Sequence, residues 1–173
     1  MIDEYGYRAN VGIIVANQNG QVLWAKCIGK SNWQFPQGGI DKDEKPIDAA
    51  YRELYEETGL LPENVKLLGQ TRKWLRYVVP RQFRRKSSHP ICIGQKQKWF
   101  LMRLVSSDDK VQLDLHKTPE FDDWRWVDYW QPLEEIVFFK RPVYRNALCE
   151  LSSHVFNGNE KYMPEKYHTK QCK

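Results

Sequence analysis

The sequence predicts an α+β domain, and three observations predict it. Short β-branched or aromatic runs are bounded by turn signals, two stretches carry the apolar spacing of helices, and the strands are mixed with only a few helices. With 173 residues the chain is long enough for one domain whose core needs no disulfide or structural metal.

Residues 11–16 and 22–25 are apolar strands. Between them Asn17-Gln18-Asn19-Gly20 ends in Asn-Gly, a strong hairpin signal. Residues 32–35 read as a short strand entering a tight turn at Pro36-Gln37-Gly38-Gly39. Pro46 to Thr58 reads as a helix: Pro46 suits its first turn, Gly59 suits the position after its end, and Ile47, Ala50 and Leu54 form an apolar stripe. Strands follow at 65–71 and 74–79, then a basic loop at 80–90, and further strands at 99–105 and 124–128. Two helices close the domain, at 132–137 and from about 142 to 154, the second burying Val143, Ala147, Leu148 and Leu151. The domain is expected to span residues 1–155. Residues 156–173 turn polar and lose periodicity, which predicts a flexible tail.

The net charge of +5 is modest but unevenly placed. Residues 72–86 hold seven basic side chains and no acid, whereas residues 41–57 hold seven acids against three bases. One acidic and one basic segment suit a metal and a polyanion together. Cys27, Cys92, Cys149 and Cys172 form no C-x-x-C pair and are read as reduced thiols with no disulfide-linked partner. The first ten residues lack the apolar stretch of a signal peptide, and no apolar run approaches the ~20 residues needed to span a membrane. A cytoplasmic protein without membrane contact is therefore expected. Seven Trp and nine Tyr are many for this length and serve either as core or as flat surfaces for stacking bases.

The most informative residues are Glu53, Glu56 and Glu57. Helix positions three and four apart share a face, and like charges at that spacing repel. They also stand toward the helix C-terminus, where the macrodipole disfavours anions. A hard divalent cation would compensate, and carboxylate oxygens are the ligands Mg²⁺ prefers. Glu44 and Arg52 can pair and fix the preceding loop to the helix, Leu54 buries the face opposite the acids, and Gly38 and Gly39 let the backbone turn tightly and approach a phosphate or metal.

Gly38, Glu44 and Arg52-Glu53-Leu54-Tyr55-Glu56-Glu57-Thr58-Gly59-Leu60 together resemble the Nudix signature, G-x5-E-x7-R-E-U-x-E-E-x-G-U, at every fixed position. The resemblance implies a mixed β-sheet sandwiched between α-helices (an α/β/α sandwich) and cleavage of a phosphoanhydride. It implies Mg²⁺, with Mn²⁺ as an alternative and two or more ions during catalysis, held by Glu53, Glu56, Glu57, Glu120 and Gly38. The same four glutamates and Arg52 are the expected catalytic set, with Glu57 or Glu120 as general base. Glu120 is singled out because Thr118-Pro119-Glu120-Phe121 reads as a loop acid before a strand.

Further segments, among them Trp33-Gln34-Phe35-Pro36-Gln37, Gly94-Gln95-Lys96-Gln97-Lys98-Trp99 and Phe138-Phe139-Lys140-Arg141, resemble the bacterial RNA pyrophosphohydrolases within that family. This likeness implies a 5′-triphosphorylated RNA end or a dinucleoside polyphosphate as substrate. It implies phosphate contacts from Arg8, Tyr77 and Lys140 and a base site from Phe139, Val137 and Arg84. Where those relatives carry a basic residue this chain has Cys27, for which Lys26 or Lys30 would have to substitute. A non-catalytic RNA-binding domain is the remaining alternative.

Overall fold

Strand β1 (Tyr7–Ala16) is buried on both faces from Val11 onward, so it must run through the middle of a sheet with cover on each side. The computed structural model, which describes residues 2–84, 91–156 and 164, places it there. β1 pairs in parallel with β7 (Gly94–Leu104) and antiparallel with β2 (Val22–Cys27) and β4 (Gln37–Gly39). β2 also carries β3 (Trp33–Gln34) and β8 (Phe121–Val127). β7 also carries β5 (Val65–Gln70) and β6 (Leu75–Val78). Among the described residues the result is an eight-stranded mixed sheet.

The two faces of β1 define two cores. Val11, Ile13 and Val15 pack with Ala49, Ala50 and Leu54 of α1 (Pro46–Thr58) and with Phe100 and Met102. Ile14 and Ala16 pack with Trp24, Phe35 and Trp99 against α2 (Pro132–Glu135) and α3 (Arg141–Phe156), through Leu133, Tyr144, Leu148 and Leu151. The expected sandwich is therefore present. Much of the aromatic surplus is core. Trp24 meets Phe35 edge-on at 4.9 Å, Trp99 meets Tyr144 at 4.9 Å, and Phe35 stacks on Tyr144 at 5.3 Å.

Gly12 lies on the aromatic face, where an added Cβ would stand 2.7 Å from the Trp99 ring. That ring is fully buried and cannot swing away. Gly12→Ala is expected to lower stability by about 1–3 kcal/mol, read as a fall in the denaturant midpoint at unchanged m-value.

Several sequence-based expectations need correction. Pro36 to Gly39 is not a tight turn, because Gln37–Gly39 is extended and paired with residues 10–12 of β1. β7 begins at Gly94 rather than Trp99, and β8 at Phe121 rather than Trp124. Polar residues follow those starts, Gln95 to Lys98 in β7 and Asp122 and Asp123 in β8, and they hide the strands from a hydrophobic reading. α2 ends at Glu135, and α3 starts at Arg141 and runs through Phe156, so Phe156 is helical rather than tail. The rest of the expected tail, apart from residue 164, lies outside the described residues, as do residues 85–90 of the basic loop. The Asn17–Gly20 hairpin is as expected: the Asn17 carboxamide oxygen accepts from the amides of Asn19 and Gln21, and Gly20 adopts φ +78°. Among the described residues Cys27, Cys92 and Cys149 form no disulfide, and no described helix is long and apolar enough to cross a membrane.

Candidate active site

Helix α1 runs over the residues the sequence assigns to it. Pro46 occupies its first turn, and Gly59 at φ 72° ends it with its amide donating to the Tyr55 carbonyl. Burial of Ala49, Ala50 and Leu54 presses the helix onto the sheet and brings its acidic side against β4. The approach is close. A Cβ on Gly38 would fall 1.7 Å from the carboxyl carbon of Glu53, and one on Gly39 would fall 2.5 Å from Arg8 Nη2. Neither glycine has a positive φ. They are required because side chains occupy the space, not because the chain turns, which corrects the reason inferred from sequence.

Arg52 binds this region together. Its guanidinium donates to both Glu44 oxygens at 2.8 and 2.9 Å, to the Gly39 carbonyl at 2.8 Å and to Glu53 at 2.7 Å, and stands 3.5 Å from Glu56. The expected Glu44–Arg52 pair thus forms and extends to the acids. Glu44's hydrogen bonds hold the guanidinium above its ordinary pKa, and Arg52 in turn holds Glu44 below the usual carboxylate range. Part of the repulsion among the acids is therefore relieved from within the chain, a cation the helical spacing alone did not reveal.

Glu57 is the most enclosed acid, 5% exposed. One oxygen accepts from the Gln37 amide at 2.8 Å, and the other, Oε1, accepts no hydrogen bond from the described residues. Burial first, then the charge of Glu120, pushes its pKa well above the carboxylate range. Burial also raises Glu53, outweighing Arg52. Glu120 sits in the bend before β8, its carbonyl held by the Ile28 amide, close enough to perturb both acids. The loop acid picked from sequence is thus brought to the helix. Among the described residues no three His, Cys, Asp or Glu groups stand close enough together to hold one ion as they are arranged. A buried oxygen without a donor, beside a second carboxylate, nevertheless fits a hard cation, which would take the place of a proton held between the two acids.

Beside the acids lies Lys140, in the 3₁₀ turn (Phe138–Lys140) before α3. Its ammonium donates to the side-chain oxygens of Gln34 at 3.1 Å and Gln37 at 3.4 Å and lies 5.8 Å from the centre of the Tyr77 ring. Burial lowers its pKa to about 8. Gln97, fully buried, donates to Asn10 at 2.8 Å and to Gln37 at 3.3 Å, and Gln95 accepts from the Tyr77 hydroxyl at 2.7 Å. Gln37 therefore serves two groups, its backbone amide orienting Glu57 and its side chain orienting Lys140. Asn10, Gln34, Gln37 and Gln97 were missed as site residues. The available signal was amides at the core-facing positions of strands, where apolar side chains are the rule.

Phe139, half-buried and packed against the edge of the aromatic core, stacks on Phe83 at 5.7 Å and lies 6.1 Å from Tyr77. Val137 is half-buried against the same core, and Arg84 donates to the carbonyl of Val79, the residue after β6. Cys27 is buried, which pushes its thiol pKa up. Of the two lysines expected to substitute for a basic residue there, Lys26 pairs with Asp122 at 3.5 Å, whereas Lys30 is near enough to perturb both Cys27 and Lys140.

The family model for the NUDIX domain matches residues 6–147, which include all of these groups. The chain belongs to the Nudix family. It is 60% identical over 156 residues to the RNA pyrophosphohydrolase of Thioalkalivibrio sulfidiphilus (strain HL-EbGR7), covering 90% of each chain. It is 60% identical over 151 residues to that of Acinetobacter baylyi, covering 87% of this chain and 91% of the other. Among solved structures it resembles a C. elegans Ap4A hydrolase in a binary complex, with TM-score 0.63 at 19% identity over 87% of this chain and 98% of that one. It also resembles the E. coli dihydroneopterin triphosphate pyrophosphohydrolase, with TM-score 0.63 at 16% identity over 83% and 98%. These structural likenesses establish the Nudix fold. The chain is a Nudix hydrolase, and Nudix hydrolases generally use divalent metals such as Mg²⁺. The alternative of a non-catalytic domain finds no support in a chain that keeps the whole Nudix signature.

Proposed function

We propose that this Nudix hydrolase removes pyrophosphate from 5′-triphosphorylated RNA, or phosphate from diphosphorylated RNA, leaving a 5′-monophosphate end that promotes mRNA decay. The observation that carries this reading is a half-buried ammonium, Lys140, placed near Glu57 and next to Phe139 of the Phe83–Phe139 stack. Polyphosphate charge and a stacked base are thereby offered adjacent places. The 60% identity to RNA pyrophosphohydrolases along nine-tenths of the chain supports it further.

Glu53, Glu56, Glu57 and Glu120, with the Gly38 carbonyl, would hold Mg²⁺ or Mn²⁺. The ion supplies neutralisation of phosphate oxygens and an activated water. The chain's own groups do the rest. Arg52 keeps the Glu53 carboxylate against Gly38. Arg8, Tyr77 and Lys140 bind the phosphates. Phe139, Val137 and Arg84 take the first bases. Glu57 or Glu120 accepts the proton of the attacking water.

The Lys140 ammonium is lost as pH rises through about 8, and with it a phosphate contact. KM for a triphosphorylated substrate is therefore expected to rise above that pH by about tenfold, whereas Lys140→Arg stays charged and gives a flatter profile. Equal profiles for the two proteins would remove Lys140 from the phosphate site.

The test of the reading as a whole is a substrate panel with products identified by mass. Purified protein with Mg²⁺ should release pyrophosphate from triphosphorylated RNA. Much faster cleavage of diadenosine polyphosphates would reassign it as a dinucleoside polyphosphate hydrolase.

A further inference from the structure

Strand β6 carries site and surface on opposite sides. Tyr77 points inward to Lys140 and Phe139, while its neighbours Arg76 and Val78 are exposed. Among the described residues β6 pairs only with β7, and no strand among them lies on its other edge. On the outward side, cations and aromatics interleave. Arg76 lies 5.9 Å from the Tyr5 ring and 5.4 Å from the Tyr7 ring. Lys96, directly across the ladder from Arg76, lies 5.9 Å from the Trp74 ring. Lys98 reaches the Arg72 carbonyl at 2.9 Å, and Lys73 is exposed beside it.

Like charges facing each other across a ladder destabilise a sheet. Arg76 opposite Lys96 is such a pair, and two acids offset only part of this surface: Asp3 pairs with Lys96 at 2.8 Å and Glu150 with Arg72 at 3.4 Å. Lys73, Arg76 and Lys98 have no ion pair among the described residues. Tyr5 is 63% exposed and Trp74 40% exposed, so each presents a ring face or edge to solvent next to a cation. Exposed rings alternating with unpaired cations are the surface that single-stranded nucleic acid binds, bases on rings and phosphates on cations. An acidic protein would need the charges but has no use for the rings.

We propose that this outer face of β6 and β7, built from Tyr5, Lys73, Trp74, Arg76, Lys96 and Lys98, is a second RNA-binding surface. It takes the single strand downstream of the 5′ end after it leaves the Phe83–Phe139 stack and passes around β6. The inference rests on the RNA reading of the active site, and it adds that the enzyme prefers long single strands over short ones.

The test compares a triphosphorylated dinucleotide with a triphosphorylated single strand of about a dozen nucleotides, a length within the range such surfaces cover. The variant is Lys73→Glu with Arg76→Glu, and neither residue belongs to the catalytic set. Its kcat/KM on the long RNA should fall at least tenfold while that on the dinucleotide changes less than twofold. With two phosphate contacts gone, the slope of log K against log salt should become shallower by about 1.4. Equal change on both substrates, or none on either, overturns the proposal. Binding of a 5′-hydroxyl oligonucleotide, followed by fluorescence anisotropy, tests the surface without catalysis. If the wild type cleaves no RNA yet binds this strand and the variant does not, the functional reading fails and the surface stands. If the wild type does not bind it, the surface is not an RNA site.

Discussion

Gly38→Ala is expected to lower kcat by about 10²-fold or more while the thermal midpoint barely moves. The new methyl would lie 1.7 Å from the Glu53 carboxyl carbon and 1.9 and 2.1 Å from its oxygens. The obstacle is the free end of a flexible side chain, so the molecule yields by swinging that carboxylate away rather than by parting strand from helix. Glu53 then leaves the site and the Arg52 Nη1 loses its 2.7 Å partner. A displacement of about 1 Å in a catalytic constellation is enough for a hundredfold loss. The contrast with Gly12→Ala is the control. There the obstacle is the buried Trp99 ring, so the cost falls on stability instead. Metal-dependent turnover and thermal denaturation on both variants check the pair. A Gly38→Ala enzyme with nearly normal turnover would show that Glu53 need not sit against β4.

Glu57→Gln is expected to lower kcat by about 10² to 10⁴-fold, the range for loss of a general base, and to stabilise the metal-free protein above neutral pH. The folded-state pKa of Glu57 lies well above its ordinary value of 4.5 because burial and Glu120 disfavour the charge. Between the ordinary and the raised value the folded protein keeps a proton that the unfolded chain has released. Stability therefore falls as pH rises through that window. Glutamine cannot titrate, so the variant should lose this slope. Denaturant midpoints in chelator from pH 4 to 9 read it directly. Mg²⁺ should restore the wild type at high pH and help the variant less, since a ligand stabilises only the state that binds it. Parallel pH profiles for the two proteins would mean that Glu57 is not the strained group.

Local features of the chain proved the most legible. α1 begins at Pro46 and ends at Thr58 as its proline, apolar stripe and glycine indicate. The Glu44–Arg52 pair was readable from a loop-to-helix spacing of eight residues. Glu120 was readable from the turn before a strand, and the structure places it near Glu53 and Glu57. The polar starts of β7 and β8 were not readable, because Gln95, Gln97, Asp122 and Asp123 break the apolar alternation that marks a strand. The Gln97–Gln37–Lys140 chain was also invisible. Its members are 60 and 103 positions apart in sequence; Gln37 and Gln97 meet because β1 pairs with both β4 and β7, and the turn before α3 brings Lys140 to them.

The sequence by itself determined the family and the reactive groups: a helical repeat of three and four places carboxylates on one side, and helix periodicity is set within a single turn of backbone. Tertiary structure decided what each group became. It chose Glu57 for burial, gave Arg52 to Glu53, filled the space beside Gly38 with the Glu53 carboxylate and lowered the proton affinity of Lys140. Solvation and Coulomb energy depend on what surrounds a charge within a few ångströms, and in this fold those surroundings come from strands far apart along the chain.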